Sequence, residues 1–168
     1  GNTFDAHLRS IAQIHLRLAN LHLENGDENL ALSHYQNSIR SSRQATAIPD
    51  QTRPHLNLAS LVSALTAMGI VQEQTGNLET ALQTYAEARE IGTKQPKILH
   101  QSRLLSSVVA RVLNRTGSIY FNQEEFVSAQ LEFRQEVQIL ETLLQADSSN
   151  EELRLRLAAA CENLGQCY

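Results

Sequence analysis

The stretch Leu18-Ala19-Asn20-Leu21-His22-Leu23-Glu24-Asn25-Gly26-Asp27, followed by Ala31-Leu32 and Tyr35, recurs along the chain. Its second copy runs from Met68-Gly69 through Thr75-Gly76-Asn77 to Ala81-Leu82 and Tyr85. A third reads Thr116-Gly117-Ser118-Ile119-Tyr120 with Phe126, Ala129 and Phe133, and a fourth begins at Leu164-Gly165 and stops at Tyr168. The small residue falls at Ala19, Gly69, Gly117 and Gly165, in steps of 50, 48 and 48. Twelve residues further on, each complete copy has Ala31, Ala81 or Ala129, and sixteen further on Tyr35, Tyr85 or Phe133. A period of this length marks a repeat architecture, whose units bury their apolar faces only against their neighbours.

Helix-pair packing explains the pattern. A small residue on a first helix lets the Ala of a second helix approach, and the aromatic fills the wedge between them. Gly26-Asp27 and Gly76-Asn77 read as the intervening turns: Gly accepts the left-handed end of one helix, and Asp or Asn caps the next. The third turn lacks its Gly and is placed at Asn122. The sequence predicts about seven helices, over 3–25, 28–47, 52–75, 78–93, 97–121, 124–145 and 150–168. They are separated at Gly26-Asp27, Pro49-Asp50, Gly76-Asn77, Thr93 to Pro96, Asn122 and Asp147 to Asn150. Ser149 with Glu152 has the spacing of a capping box for the last helix.

Composition agrees with an all-α class. The 168 residues are 42% hydrophobic and 19% charged, with Gly 7 and Pro 3, too few breakers for a turn-rich all-β domain. The apolar content is too high for an unfolded polar chain. No uninterrupted apolar run approaches the roughly 18 residues of a membrane helix, so no membrane span is expected. Lys+Arg 14 against Asp+Glu 18 gives a net charge of −4, which argues against a nucleic-acid partner. Cys161 and Cys167, six apart, fall on different helical faces and form no disulfide, so a reducing, cytoplasmic setting is expected. No leader sequence is legible at the N-terminus.

These residues resemble the tetratricopeptide repeat, whose units run about 34 residues; the longer period looks like the elongated variant of that family. The segment 141–152 is similar in style to that group's connector between units. The resemblance implies one domain over 1–168, with units 3–48, 51–95 and 97–146 and a partial unit or capping helix 150–168. It also implies a right-handed superhelical solenoid of antiparallel helix pairs. The family's early Trp is replaced by His15, Leu65, Leu113 and Cys161, and its first-helix Tyr by His22 and Gln72, returning at Tyr120 and Tyr168. A chain stopping inside a first helix reads as a piece of a longer solenoid, or as one closed by a solvating cap.

Enzyme signatures are absent: no GxSxG, HExxH, GxGxxG or GxxxxGK[ST] occurs. Asn114-Arg115-Thr116 is formally a glycosylation sequon but lies within a predicted helix. His7, His15 and His22 share a helical face, with neighbours about 10–12 Å apart along the axis, too far to share one zinc ion with ligands at about 2 Å. They are expected to be packed core histidines, and neither metal nor cofactor is assigned. Glu124-Glu125 and Glu151-Glu152 read as helix-start acids that oppose the helix dipole.

One feature points to binding. Between Glu90 and Glu124 no acid occurs, while Lys94, Lys97, Arg103, Arg111 and Arg115 lie there. His100, Arg103, Ser107, Arg111, Asn114, Arg115 and Ser118 recur at steps of three and four, one polar stripe on one helix. The first helix carries Arg9, Gln13, Arg17 and Asn20 in the equivalent stripe. The third offers smaller groups, Ala59, Ser63, Thr66, Ala67 and Ile70. In the tetratricopeptide register this face lines the inner, concave surface, where family members hold extended peptides. The resemblance to the family's carboxylate clamps is partial: Asn20 matches a clamp asparagine, and the clamp lysines are missing. Arg donors suit carboxylate or phosphate. The expected function is a non-enzymatic scaffold for a protein or peptide partner, an acidic one being the option the arginines raise. The alternatives are self-association through the open last helix, giving a dimer or filament, and a regulatory arm of a larger signalling protein.

Overall fold

The computed structural model describes residues 4–48 and 53–168. Among them the chain is all-helical and has no strand, in the order α1 (Phe4–Glu24), α2 (Glu28–Thr46), α3 (Pro54–Gln74), α4 (Leu78–Thr93), α5 (Pro96–Gln101), α6 (Arg103–Asn122), α7 (Phe126–Ala146) and α8 (Glu151–Gln166). The break expected at Pro49-Asp50 lies outside the described residues. Through α4, each helix packs on the next in sequence. Beyond it, α6 packs on α3 and α4, α7 on α6, and α8 on α7.

The recurrent small and aromatic residues meet as their spacing requires. A Cβ added to Gly69 would lie 2.4 Å from Tyr85 Cε1, and one added to Gly117 2.7 Å from Phe133 Cε1. The aromatic ring thus lies directly on the glycine backbone. Ala19 and Tyr35 share a buried cluster with Ala31 in the first pair. Tyr35, Tyr85 and Phe133 are among the largest fully enclosed side chains. A Cβ added to Gly165 would meet nothing within 4 Å.

The α1–α2, α3–α4 and α6–α7 turns are built alike. Gly26 N–H donates to Leu23 O and Asp27 N–H to His22 O; Gly76 and Asn77 repeat the pattern on Glu73 and Gln72. In the third turn Glu124 and Glu125 donate to Phe121 and Tyr120. This is the double hydrogen bond of a Schellman motif, whose pivot residue is left-handed. The pivot is at φ 80° in Gly26 and Gly76, and at φ 61° in Glu124. The third turn is therefore centred on Glu124 rather than Asn122, with a non-glycine residue in the left-handed region. Two capping expectations are corrected here. The side chains of Asp27, Asn77 and Glu125, which stand at the N-cap, accept no capping backbone N–H. The last helix is capped by Asn150 Oδ1, which accepts from Leu153 N–H at 3.0 Å, and Ser149 turns instead to Asp147.

The helix expected over 97–121 is two helices, so eight are seen among the described residues where about seven were expected. Ser102 adopts an extended backbone (φ −112°, ψ 100°) and its Oγ accepts from Leu105 N–H, which starts α6 as a new helix. Ser106 Oγ donates to Leu99 O across the break. His100 consequently belongs to α5 and not to the α6 stripe.

α3 is apolar on average along its length although polar residues interrupt it. Its 21 residues reach a mean hydropathy of 1.4 over an 18-residue window, long and apolar enough to cross a membrane by length and composition. Here it is the central helix of the core: Leu58, Leu61, Val62, Leu65 and Val71 are buried, and α1, α2, α4 and α6 all pack on it. A helix enclosed on several sides reads apolar all round.

Candidate functional site

The stripe residues of α1 are only partly free. Arg9 is half-buried, lies 3.9 Å from Asp5 and donates to Asn57 Oδ1 at 2.7 Å, tying α1 to α3. Asn20 Oδ1 accepts from the Tyr35 hydroxyl at 2.7 Å. Gln13 and Arg17 are exposed, and Arg17 pairs with no described residue. On α3, Ser63 and Ile70 are half-buried. Thr66 is 2% exposed and donates to Val62 O, so it belongs to the core and cannot touch a ligand.

The α6 stripe is engaged by groups from other helices. Arg103 pairs with Asp147 at 2.6 Å and Arg115 with Glu73 at 3.6 Å. Asn114 Nδ2 donates to Glu136 Oε2 at 3.0 Å. Ser107 receives Arg156 of α8 twice, at its Oγ (2.9 Å) and its carbonyl (3.3 Å). Ser118 Oγ donates to Asn114 O. The acid-free stretch of sequence is therefore not acid-free in space, because Glu73, Glu136 and Asp147 come in from α3, α7 and the α7–α8 turn. Arg111 is exposed and pairs with no described residue.

A cavity of about 330 Å³ lies where α6, α7 and α8 meet, lined by Arg111, Asn114, Glu136, Glu152, Arg156 and Ala159. Glu136 is 3% exposed. Burial pushes its carboxyl up to about 7, while the Asn114 hydrogen bond and the Arg156 charge pull it back. A carboxyl poised near neutrality beside two guanidinium groups lets the local charge change within the physiological range. Glu136, Glu152 and Arg156 escape a reading of stripes on first helices. Glu136 nevertheless left a signal: in the repeat register it stands where Ser38 and Ala88 stand, both fully buried. An acid in a small-residue core position marks a polar site.

Glu132 of α7 is the other buried carboxyl. It forms an ion pair with Arg89 of α4, and its second oxygen is buried without a hydrogen-bond partner among the described residues. Burial raises its pKa and Arg89 opposes the rise. Glu124 and Glu125 lie before α7 rather than in its first turn, whereas Glu151 and Glu152 do occupy the first turn of α8.

The histidines are arranged differently from the expectation of core packing along one helix. His15 and His22 are half-buried, and both meet His34 of α2. His15 Nδ1 and His34 Nδ1 are 2.9 Å apart, and the His22 and His34 rings stack at 5.3 Å with 6° between their planes. Among the described residues, no three His, Cys, Asp or Glu side chains converge on a point that could hold a metal ion. Cys161 and Cys167 are both free thiols. No family model and no curated protein matches the chain.

Proposed function

We propose that the chain is a tetratricopeptide-like array, a short right-handed solenoid of antiparallel helix pairs, acting as a non-enzymatic scaffold that holds an acidic partner segment along its first-helix face. The observation that carries this reading is the exposure of Arg111, without an ion-pair partner among the described residues, at the mouth of the cavity between α6, α7 and α8. Most other arginines of that region are occupied: Arg103 by Asp147, Arg115 by Glu73 and Arg156 by Ser107. A forked donor left open beside a polar cavity suits a carboxylate of the partner, with main-chain hydrogen bonds supplying further affinity. Arg17 supplies a second open cation on α1.

Acidic, neutral and basic decapeptides on one array test this directly. The scaffold retains the acidic set, and Arg111→Glu with Arg17→Glu loses it while keeping the wild-type melting curve. Equal retention of all three sets by both proteins contradicts the reading.

A second reading is self-association. Phe4, Ile11, Ile14 and Leu21 are exposed at helical spacing on α1, and Leu155 of α8 is 71% exposed. Light scattering over a concentration series separates the two readings, since a strictly monomeric chain removes the second. A role as regulatory arm of a larger signalling protein is compatible with either.

A further inference from the structure

In the repeat register His34 is the counterpart of Thr84 and Glu132, His22 of Gln72 and Tyr120, and His15 of Leu65 and Leu113. In the second pair these positions form an ordinary interhelical contact, with Thr84 Oγ1 donating to Gln72 Oε1 at 2.8 Å. The first pair puts an imidazole at all three. We propose that His15 and His34 form a binding site for a divalent first-row transition-metal ion, held between their Nδ1 atoms.

The geometry carries the assignment. Two Nδ1 atoms 2.9 Å apart share one proton, one ring donating and the other accepting. With the ring centroids 5.2 Å apart, the two nitrogens face each other across the space between α1 and α2. A zinc-like ion with Zn–N of about 2.0–2.1 Å in tetrahedral geometry needs the two nitrogens about 3.3 Å apart, reached by opening the pair a few tenths of an ångström and turning both rings so that their facing lone pairs meet at the ion. The bridging proton moves through solvent to the Nε2 of the same ring, so both ligands remain neutral imidazoles and no net proton is released. Both rings are half-buried, which leaves one side open for water to complete the coordination.

The surroundings favour the ligating form. Desolvation, followed by the charges that His15 and His22 would carry, holds His34 below the ordinary imidazole range. Neutral imidazole is the form that binds metal. His22 acts as a positioning residue: its ring lies flat on His34, and its Nδ1 is 3.6 Å from the Asp27 carboxylate.

The test titrates the full chain with Zn²⁺ and Cu²⁺ salts against a chromophoric chelator, and records the electron paramagnetic resonance spectrum of the Cu²⁺ form. Copper is the sensitive probe because it heads the divalent affinity order. The expected result is one ion per chain, with nitrogen splitting from two imidazoles. His15→Leu and His34→Thr, each taken from an equivalent position of this same sequence, should each weaken binding by roughly tenfold or more. His55→Ala with His100→Ala should leave it unchanged. A wild type that takes up no metal overturns the proposal, as does a copper spectrum without two-nitrogen coordination or uptake removed by the His55/His100 pair. The spectrum of the unmutated chain decides the matter even where a variant fails to fold.

Discussion

Gly69→Ala should destabilise the fold, whereas Gly165→Ala should stabilise it, although both glycines occupy the same repeat position. A methyl at Gly69 falls 2.4 Å from Tyr85 Cε1 and under 3 Å from two further ring atoms. The Tyr85 ring is fully buried and its hydroxyl donates to Glu73 at 2.9 Å, so it cannot swing aside without breaking that bond. Overpacking of this kind costs about 1–3 kcal/mol, against a helix-propensity gain of about 1 kcal/mol for Gly to Ala. The net expectation at Gly69 is a loss of up to about 2 kcal/mol. At Gly165 nothing lies within 4 Å and only the propensity gain remains, about 0.5–1 kcal/mol. Urea denaturation followed by far-ultraviolet circular dichroism measures both. In a double-mutant cycle, Tyr85→Leu should relieve the Gly69→Ala defect, giving a coupling of about 1–3 kcal/mol. Equal, same-sign shifts at Gly69 and Gly165, with no coupling to Tyr85, would refute the proposed packing of ring on glycine.

Three further outcomes follow from the same contacts. Glu124→Gly should stabilise by about 1 kcal/mol, because a non-glycine residue at left-handed φ carries a cost of about 1–2 kcal/mol that glycine avoids; denaturant midpoints check it. Asn150→Ala should cost about 1 kcal/mol through loss of the α8 cap and speed amide exchange in its first turn. Glu136 has its folded pKa raised from 4.5 to about 7, so the folded state binds its proton more tightly than the unfolded. Its contribution therefore falls as pH rises from about 4.5 to about 7 and is level above. Glu136→Gln should remove that slope and be the more stable protein at pH 8 by about 3 kcal/mol, read from melts across pH.

The repeat was legible because its marks are backbone demands: small residues where rings close on a helix, and glycine at a left-handed pivot. The same logic shows why the third turn was misplaced by two residues. Glu124 occupies a glycine position, and sequence pattern alone gives no warning that a long polar side chain adopts that backbone. Ser102 escaped notice for a related reason. A single serine inside an apolar helical run becomes a helix start only because its hydroxyl finds the Leu105 N–H, a choice made by packing. For the candidate site, Arg17 and Arg111 were legible as exposed cations. Thr66 was not legible as core, since a stripe of small residues is written alike on a surface and against a neighbouring helix. Glu73 and Glu136, which occupy Arg115 and Asn114, come from other helices, and no periodicity within α6 reports them. His34 likewise joins His15 and His22 across a helix pair, so the spacing along α1 alone pointed away from a site.

The most direct test of the scaffold reading is affinity capture with the wild type and with Arg17→Glu/Arg111→Glu, after both show equal helicity and melting. The account predicts a partner with an acidic segment that the wild type retains and the variant releases. Identical capture by the two proteins, or a retained partner whose bound segment carries no acid, would contradict it.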